Sequence, residues 1–513
     1  LEFSPEFGFK LNGKKIFLQG NANHHDLGAL GATCYDKAIE RMMLQLKSFG
    51  YNCIRCSHNP YSDSFARIAD RVGILVVDEL TDKWSDNDYW GGRQPFTHIW
   101  HKLITEWIKR DRNRPSIILW SLGNELQIRE GWAGFEGTND WGITTYNIFN
   151  QLVKRWDHTR LTTVAMFPAR AGAITRHDKE FNDYLVPPEL ACATEVASFN
   201  YQSDKYDAYL KYRPDLILFQ SEAETSNLLQ PYYNMDKERM VGIAYWGSVE
   251  YWGESNKWPK KGWNYSFFEH TMRPYPQAYL IKTAFMPEIP EVHIGVVDAA
   301  GAESVSWNDV IVGRMALNEC WNHTPGSRRS LFTFTNAHSV ELLVNGQSMG
   351  IQKNDTTRAN LRNMIYWKDV PYGNGGSVVA IARDKSGKEV ARHRIETAGK
   401  AVALRIEAET PTDWKADGMD LQYINVTVID KKGRPVWDYN EPLTLQMEGA
   451  ARLVALDNGD HYTDELFHGI TSKRMYQGRM QIILRSDQEA GNVTVKISSA
   501  GLKGTLRLKT IKE

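Results

Sequence analysis

The stretch Ser116-Ile-Ile-Leu-Trp-Ser-Leu-Gly-Asn-Glu125 is a short apolar run that closes on a glycine, an amide and a carboxylate. An apolar run this short, bounded by polar residues, reads as a buried strand. Leu216-Ile-Leu-Phe-Gln-Ser-Glu222 has the same form, and Ile74-Leu-Val-Val77 runs into Asp78-Glu79. Ile16–Gly20, Tyr51–Cys56, Thr162–Met166, Glu195–Phe199 and Val241–Trp246 complete a set of eight. Helical stripes lie between them. Ile39, Met42, Met43, Leu46 and Phe49 recur at helical spacing before Gly50; Phe65, Ile68, Ala69 and Val72 do so before Gly73. Phe96, Ile99, Trp100, Leu103, Ile104, Trp107 and Ile108 make a longer one. Eight short strands alternating with helices predict a (β/α)8 TIM barrel. A doubly wound sheet would also alternate, but no strand here runs into a GxGxxG or P-loop sequence.

In such a barrel the C-terminal strand ends converge on one pocket. His24-His25, His58-Asn59, Asp78-Glu79, Asn124-Glu125, Tyr201, Glu222 and Trp246 all stand there. After about residue 290 helical periodicity fades and β-like runs with turn signals take over. Val340-Glu-Leu-Leu-Val344 followed by Asn345-Gly346 is a hairpin signal. Two all-β immunoglobulin-like sandwiches are expected, giving a barrel over 1–289 and sandwiches over 290–399 and 400–513.

Composition excludes several classes. With 61 Lys+Arg against 62 Asp+Glu, no global field draws nucleic acid or an anionic membrane. The 42% hydrophobic share is that of a folded chain, and no apolar run spans a bilayer. Five cysteines do not suggest a disulfide framework, and Cys53-Ile-Arg-Cys56 reads as two packed thiols because no second CxxC completes a zinc site. Leu1 is not an initiator Met, and the chain reads as the rear part of a longer protein. Seventeen tryptophans, twelve of them before residue 290, are either core filler or platforms for sugar rings.

The chemistry rests on Glu125 and Glu222, which fall on the fourth and seventh strands. Two carboxyls facing across a barrel mouth can protonate a leaving group and supply a nucleophile, as retaining glycoside hydrolysis requires. Glu224 competes with Glu222, and strand alternation does not separate them.

At these residues the chain resembles glycoside hydrolase family 2, the β-galactosidases, β-glucuronidases and β-mannosidases. The likeness covers roughly residues 8–285. It is carried by Gly8-Phe-Lys-Leu-Asn-Gly-Lys-Lys15, Leu18-Gln-Gly-Asn-Ala-Asn-His-His-Asp26, Asn52-Cys-Ile-Arg-Cys-Ser-His-Asn-Pro60 and Ile74-Leu-Val-Val-Asp-Glu79. The resemblance implies Glu125 as acid/base, Glu222 as nucleophile and Asn124 on the sugar 2-hydroxyl. It further implies Tyr201 bonded to the nucleophile, Arg55, His58 and His24 orienting polar groups, and Trp246 as an apolar wall. Asp82 and Trp252 join the substrate-contact candidates. The magnesium-dependent members carry Glu and His ligands after the third strand. Asp78-Glu-Leu-Thr-Asp-Lys-Trp84 offers no Glu-x-His, so no catalytic metal and no cofactor are expected. The family's N-terminal sandwich domains are missing from this sequence.

Set against these readings, Arg55 on a strand is equally a structural ion-pair partner, because a buried Arg needs a carboxylate. His24 and His25, being adjacent, point apart and do not suggest a shared metal. Trp252, Trp258 and Trp263 in the polar loop Tyr251–Tyr265 suggest exposed platforms, and Lys257, Lys260 and Lys261 read as a solvated cluster before a partner for an acidic sugar. The expectation is a retaining exo-β-glycosidase acting on a β-linked oligosaccharide, β-galactoside first. A β-glucuronidase or other family 2 activity comes next, because no Asn-x-Lys grip for a carboxylate stands out. A non-catalytic sugar-binding barrel is the rival from another class. No nucleic-acid or membrane partner is expected; the chain could form a homo-oligomer. Polysaccharide use favours a periplasmic or secreted location, while the cysteine pattern tolerates the cytoplasm.

Overall fold

The computed structural model describes the chain except residues 85–94, 127–139, 168–185, 226–227, 256, 299–302, 308–309 and 513. Eight parallel strands close a barrel: β1 Leu18–Asn23, β2 Cys53–Cys56, β3 Leu75–Glu79, β4 Ile117–Asn124, β5 Leu161–Met166, β6 Val196–Asn200, β7 Leu218–Ala223 and β8 Gly242–Trp246. Each pairs with its neighbour in sequence, and β8 closes on β1 with Ile243 opposite Gln19 and Trp246 opposite Ala22. The predicted strands are all present. Several run further than their apolar stretches, into Asn21–Asn23, Gly123-Asn124 and Ser221–Ala223. Polar residues continue these strands because they are buried and bonded to one another at the barrel mouth.

Helices form where the stripes predict them: α1 Asp36–Ser48, α2 Asp63–Val72 and α3 Phe96–Asp111. In α2 the Ser62 side chain accepts the Phe65 N–H, Gly73 closes the last turn in the left-handed conformation, and Phe65, Ala66, Ile68 and Ala69 are buried. Cys53 and Cys56 are free and buried on β2, where burial pushes the Cys53 thiol up to about 12.

Barrel closure depends on missing side chains. A Cβ on Gly242 would lie 2.4 Å from Leu18 Cβ and the Leu18 carbonyl oxygen, and one on Gly20 would lie 2.9 Å from Ala244 Cβ. The strands on either side of the closing seam therefore approach through glycine.

By contacts the chain divides into two compact units. One is Leu1–His25, Met43–Ser248 and Ser306–Val312; the other is Asp26–Met42, Val249–Val305 and Gly313–Glu513. The second unit holds two pairs of four-stranded antiparallel sheets. The first pair lies within residues 292–396 around Ile294, Trp321, Leu331, Leu342, Trp367 and Val378. The second, within 401–509, packs on Trp414, Ile424, Leu443, Ile482, Val493 and Val495. The predicted hairpin turns at Asn345-Gly346, both residues at positive φ, as a two-residue primed turn needs.

The loop after β8 differs from expectation. Tyr251-Trp252 pairs with Gly262-Trp263 as a small ladder, which buries Trp263 with its ring stacked on Tyr251 at 6.1 Å. Trp258 alone stays 76% exposed. Lys260 is buried with its ammonium 4.1 Å from the Tyr265 ring centroid, so it is not part of a solvated cluster.

Gly242→Ala should cost about 1–3 kcal/mol through overpacking at the seam. Urea denaturation reads this as a lower midpoint at unchanged slope; an unchanged midpoint would refute the seam argument.

Candidate active site

The mouth of the barrel is organised by one guanidinium. Arg55 on β2 is fully buried. Its Nε and Nη2 donate to Glu79 Oε2 at 3.1 and 2.7 Å, Nη1 donates to Glu222 Oε1 at 2.6 Å, and Nη2 also donates to Asn124 Oδ1 at 2.9 Å. An arginine this deep must be neutralised, and β3 and β7 supply the two carboxylates. Glu79 is itself saturated: Oε1 accepts from His58 Nδ1 at 2.6 Å, and Oε2 from Ser121 Oγ at 2.6 Å. Burial alone would raise the Glu79 carboxyl; the Arg55 charge and the His58 contact outweigh it and hold it below the usual range.

Asn124 is clamped on both sides of its amide. Oδ1 accepts from Arg55 and from Asn200 Nδ2 at 3.0 Å, while Nδ2 donates to Asp82 Oδ1 at 3.0 Å. These partners leave one orientation for the amide. Asp82 also takes Lys83 Nζ at 2.6 Å. Burial would raise Asp82, but His58 and Lys83 hold its carboxyl low.

Glu125 and Tyr201 both take the left-handed backbone, with φ of 49° and 58°. Each turns the chain at a strand end: the Glu125 N–H donates to the Ala165 carbonyl at 2.7 Å, and the Tyr201 N–H to the Glu222 carbonyl at 2.9 Å. Strain of this kind gathers at functional sites. Tyr201 then donates its hydroxyl to Glu222 Oε2 at 2.7 Å. Glu222 is thus held through both oxygens, by a cation and by a phenol.

Glu125 has the opposite environment. Its Oε1 accepts from Asn200 Nδ2 at 3.1 Å. Burial, reinforced by the charge of Glu222, pushes its carboxyl up to about 8. Of the two carboxyls, one is bonded to a cation and a phenol and the other is buried and holds a proton.

Trp246, at the end of β8, stacks its ring on His58 at 5.3 Å and meets His24 edge-on at 5.1 Å. His24 Nδ1 lies 3.2 Å from the Ser57 carbonyl, whereas His25 turns away to stack on Tyr61 at 4.6 Å. Beside the cluster is a cavity of about 650 Å³ whose lining includes His58, Pro60, Leu80, Asp82, Trp107 and Arg110. Trp252 belongs to the other unit; its ring packs against His270 and His461, and its Nε1 donates to the Gly28 carbonyl at 2.8 Å.

Of the ten residues singled out from the sequence, nine therefore meet at the strand ends of the barrel unit, and Trp252 falls in the other unit. Glu79 stands among the predicted strand-end residues but without a role, and Asn200 is not among them. The signal for Glu79 was available, since a buried Arg55 requires a carboxylate and Asp78-Glu79 ends the adjacent strand. Asn200 gave none beyond its place before Tyr201.

Chain comparison points the same way as this geometry. Residues 6–240 match the glycosyl hydrolases family 2 TIM barrel domain, and residues 404–506 match the glycoside hydrolase family 2 C-terminal domain 5. The chain belongs to glycoside hydrolase family 2. Residues 326–391 of this family 2 chain also match a domain of unknown function. It is 45% identical to a putative β-glucuronidase of Formosa agariphila, over 99% of the chain and 50% of that protein. It is 27% identical to a β-galactosidase of Bacteroides ovatus, over 97% of the chain and 61% of that protein. The crystal structure of a glycosyl hydrolase family 2 member from Bacteroides cellulosilyticus superposes with a TM-score of 0.82 at 30% identity, covering 99% of this chain and 63% of that one. The chain thus spans only half to three-fifths of the length of its curated relatives.

Two stability measurements test the electrostatics. Glu79→Gln leaves Arg55 short of a buried counter-charge and should cost about 3–5 kcal/mol in denaturant unfolding; a loss below 1 kcal/mol would show that Arg55 is neutralised otherwise. Glu125→Gln should stabilise the fold. The wild-type carboxyl keeps its proton when folded and loses it near pH 4.5 when unfolded, so wild-type stability falls from pH 4.5 up to about 8 and then levels. The Tm advantage of the variant should widen over that window, and a pH-independent difference would contradict the raised Glu125.

Proposed function

We propose that this chain carries the catalytic barrel of a retaining exo-β-glycosidase, with β-galactosides as the preferred substrates. The carrying observation is the asymmetry of the two carboxyls. Glu125 holds a proton near neutral pH, and Glu222 is bonded through both oxygens to Arg55 and Tyr201.

In this reading Glu222 attacks the anomeric carbon while Glu125 donates its proton to the glycosidic oxygen, so the leaving group departs neutral and a glycosyl ester forms on Glu222. The charge on Glu222 is lost in that step, which removes the main charge raising Glu125. Glu125, now a carboxylate, takes the proton of an entering water, and hydrolysis of the ester returns both groups to their starting forms. Asn124, fixed through both ends of its amide, presents a polar edge for a sugar hydroxyl. Trp246, His58 and His24 form an apolar and aromatic wall, and the cavity beside His58 and Asp82 gives room for a further sugar. The division of the chain into a barrel over 1–289 and two immunoglobulin-like modules over 290–399 and 400–513 is part of the same proposal.

A neutral sugar is supported by the cations of the site: among the described residues, Arg55 and Lys83 at the barrel mouth are each already paired with carboxylates. A β-glucuronide is the second reading, favoured by the 45% identity to a protein named for that activity. Nitrophenyl β-galactoside, β-glucuronide, β-glucoside and β-mannoside assayed side by side separate the two. The β-galactoside should give the highest kcat/KM; the β-glucuronide leading would overturn the substrate choice, and binding without hydrolysis of any would overturn the enzyme. Glu222→Ala should lose at least about 10³-fold in kcat and recover with azide, releasing an α-glycosyl azide. Recovery with the β-azide, or azide rescue of Glu224→Ala instead, would contradict the assignment.

A further inference from the structure

A second cluster of ligating side chains lies in the unit that contains the β-sheets. Glu250, His270 and His461 are buried, and one ligand atom from each lies within 4.8 Å of the others. His270 Nδ1 is 3.0 Å and His461 Nε2 is 3.2 Å from the same oxygen, Glu250 Oε2. Ligands about 2.0–2.1 Å from a tetrahedral metal are themselves about 3.3 Å apart. The two separations to Glu250 Oε2 are therefore close to the edges of such a coordination shell, and the third lies within 4.8 Å.

The surrounding bonds prepare the three groups for that role. His270 Nε2 faces Asp457 Oδ1 at 3.0 Å. With an ion on Nδ1 the ring proton stays on Nε2 and points at Asp457, the kind of outer partner that metal-bound histidines have. Tyr275 donates its hydroxyl to Glu250 Oε1 at 2.6 Å, while Oε2 takes the His270 backbone N–H at 3.2 Å and faces the two imidazoles. Trp252 packs its ring against both imidazoles, at 4.6 and 4.7 Å, and shields them on that side. A cavity of about 300 Å³, with Glu250, Arg273, Tyr275 and His461 in its lining, gives a route in and space for a fourth ligand.

A charged network without a metal explains only part of this. An imidazolium at His270 between Glu250 and Asp457 would satisfy those three groups. It leaves His461, 3% exposed, with no hydrogen bond at Nδ1 and with Nε2 only in a 3.2 Å, poorly aligned contact to an oxygen already shared with His270, an arrangement that costs free energy unless something takes the Nε2 lone pair. A cation placed among the three atoms takes it. The other histidine cluster, His293, Glu319 and His393, does not pass the same test. There His393 Nδ1 accepts the Ile294 N–H at 3.0 Å, which puts the proton of the neutral ring on Nε2, the atom that faces Glu319.

We propose that Glu250, His270 and His461 form a binding site for a divalent transition metal of the zinc class, with Asp457 as the outer partner of His270. Two imidazoles and one carboxylate are a zinc-type donor set with one position left for water. The ion would tie the segment after β8, which carries Glu250 and His270, to the turn after strand Ala451–Asp457, which carries His461. The proposal does not depend on the glycosidase reading, and its test does not use activity.

The full chain, stripped with dipicolinate and dialysed, is titrated with Zn²⁺ and analysed for metal content and Tm. One equivalent should bind per chain and raise Tm. X-ray absorption of the zinc-loaded wild type should show only nitrogen and oxygen ligands at about 2.0–2.1 Å, including two imidazoles. His461→Gln should lose the equivalent, and Asp457→Asn should keep it with affinity lowered about 10–100-fold. No bound zinc in the wild type, sulfur in the first shell, or unchanged stoichiometry and affinity in His461→Gln would each overturn the proposal. Because the absorption measurement uses the wild type, it decides the matter even where a variant fails to fold.

Discussion

The site depends on a guanidinium that has no access to water. Arg55 is 0% exposed on a barrel strand, and a charge there is tolerated only when every direction of its fork meets an acceptor. That requirement places Glu79 on β3, Asn124 at the end of β4 and Glu222 on β7. Their positions are consequences of one desolvated charge, and the chemistry follows from the same balance. Glu222 takes part of that positive charge through its 2.6 Å bond to Arg55. Glu125 receives none of it directly, lies in a buried setting near Glu222, and holds its proton to about pH 8.

The barrel provides the means to aim these groups. Parallel strands end on one rim, so residues far apart in sequence meet without long loops. Strand direction alone would not aim Glu125 or Tyr201, and at both positions the backbone departs into the left-handed region. The strain is sustained by the hydrogen bonds that follow each turn. At the opposite demand, close approach, the seam between β8 and β1 uses glycine where any side chain would collide. Fold and site are thus joined: the seam sets the barrel, the barrel sets the rim, and the rim brings the carboxyls to the arginine.

Much of this was legible in the residues themselves. Short apolar runs ending on polar residues marked all eight strands, and apolar stripes with a Gly stop marked helices such as α2. The strand ends were less legible, because buried polar residues at the mouth continue β1, β4 and β7 beyond the apolar pattern. The pairing of Glu222 over Glu224 is a matter of which side chain meets Arg55 and Tyr201, information that lies in the closed barrel and not in the local run. The loop after β8 was misread for a related reason. Its composition is polar, but the pairing of Tyr251-Trp252 with Gly262-Trp263 buries Trp263, and Lys260 is buried against Tyr265. Glu79 shows the reverse case: electrostatic necessity, applied to Arg55, would have found it without coordinates.

The central claim is that Glu222, held by Arg55 and Tyr201, is the group that bonds to the sugar. Incubation of the protein with a 2-deoxy-2-fluoro-β-galactosyl fluoride, followed by peptide mass spectrometry, tests it directly. The account predicts a single fluoro-sugar adduct on the peptide containing Leu216–Glu224, with fragmentation placing it on Glu222. An adduct on Glu224 or on Glu125, or rapid turnover of untagged protein with inversion at the anomeric carbon, would contradict it.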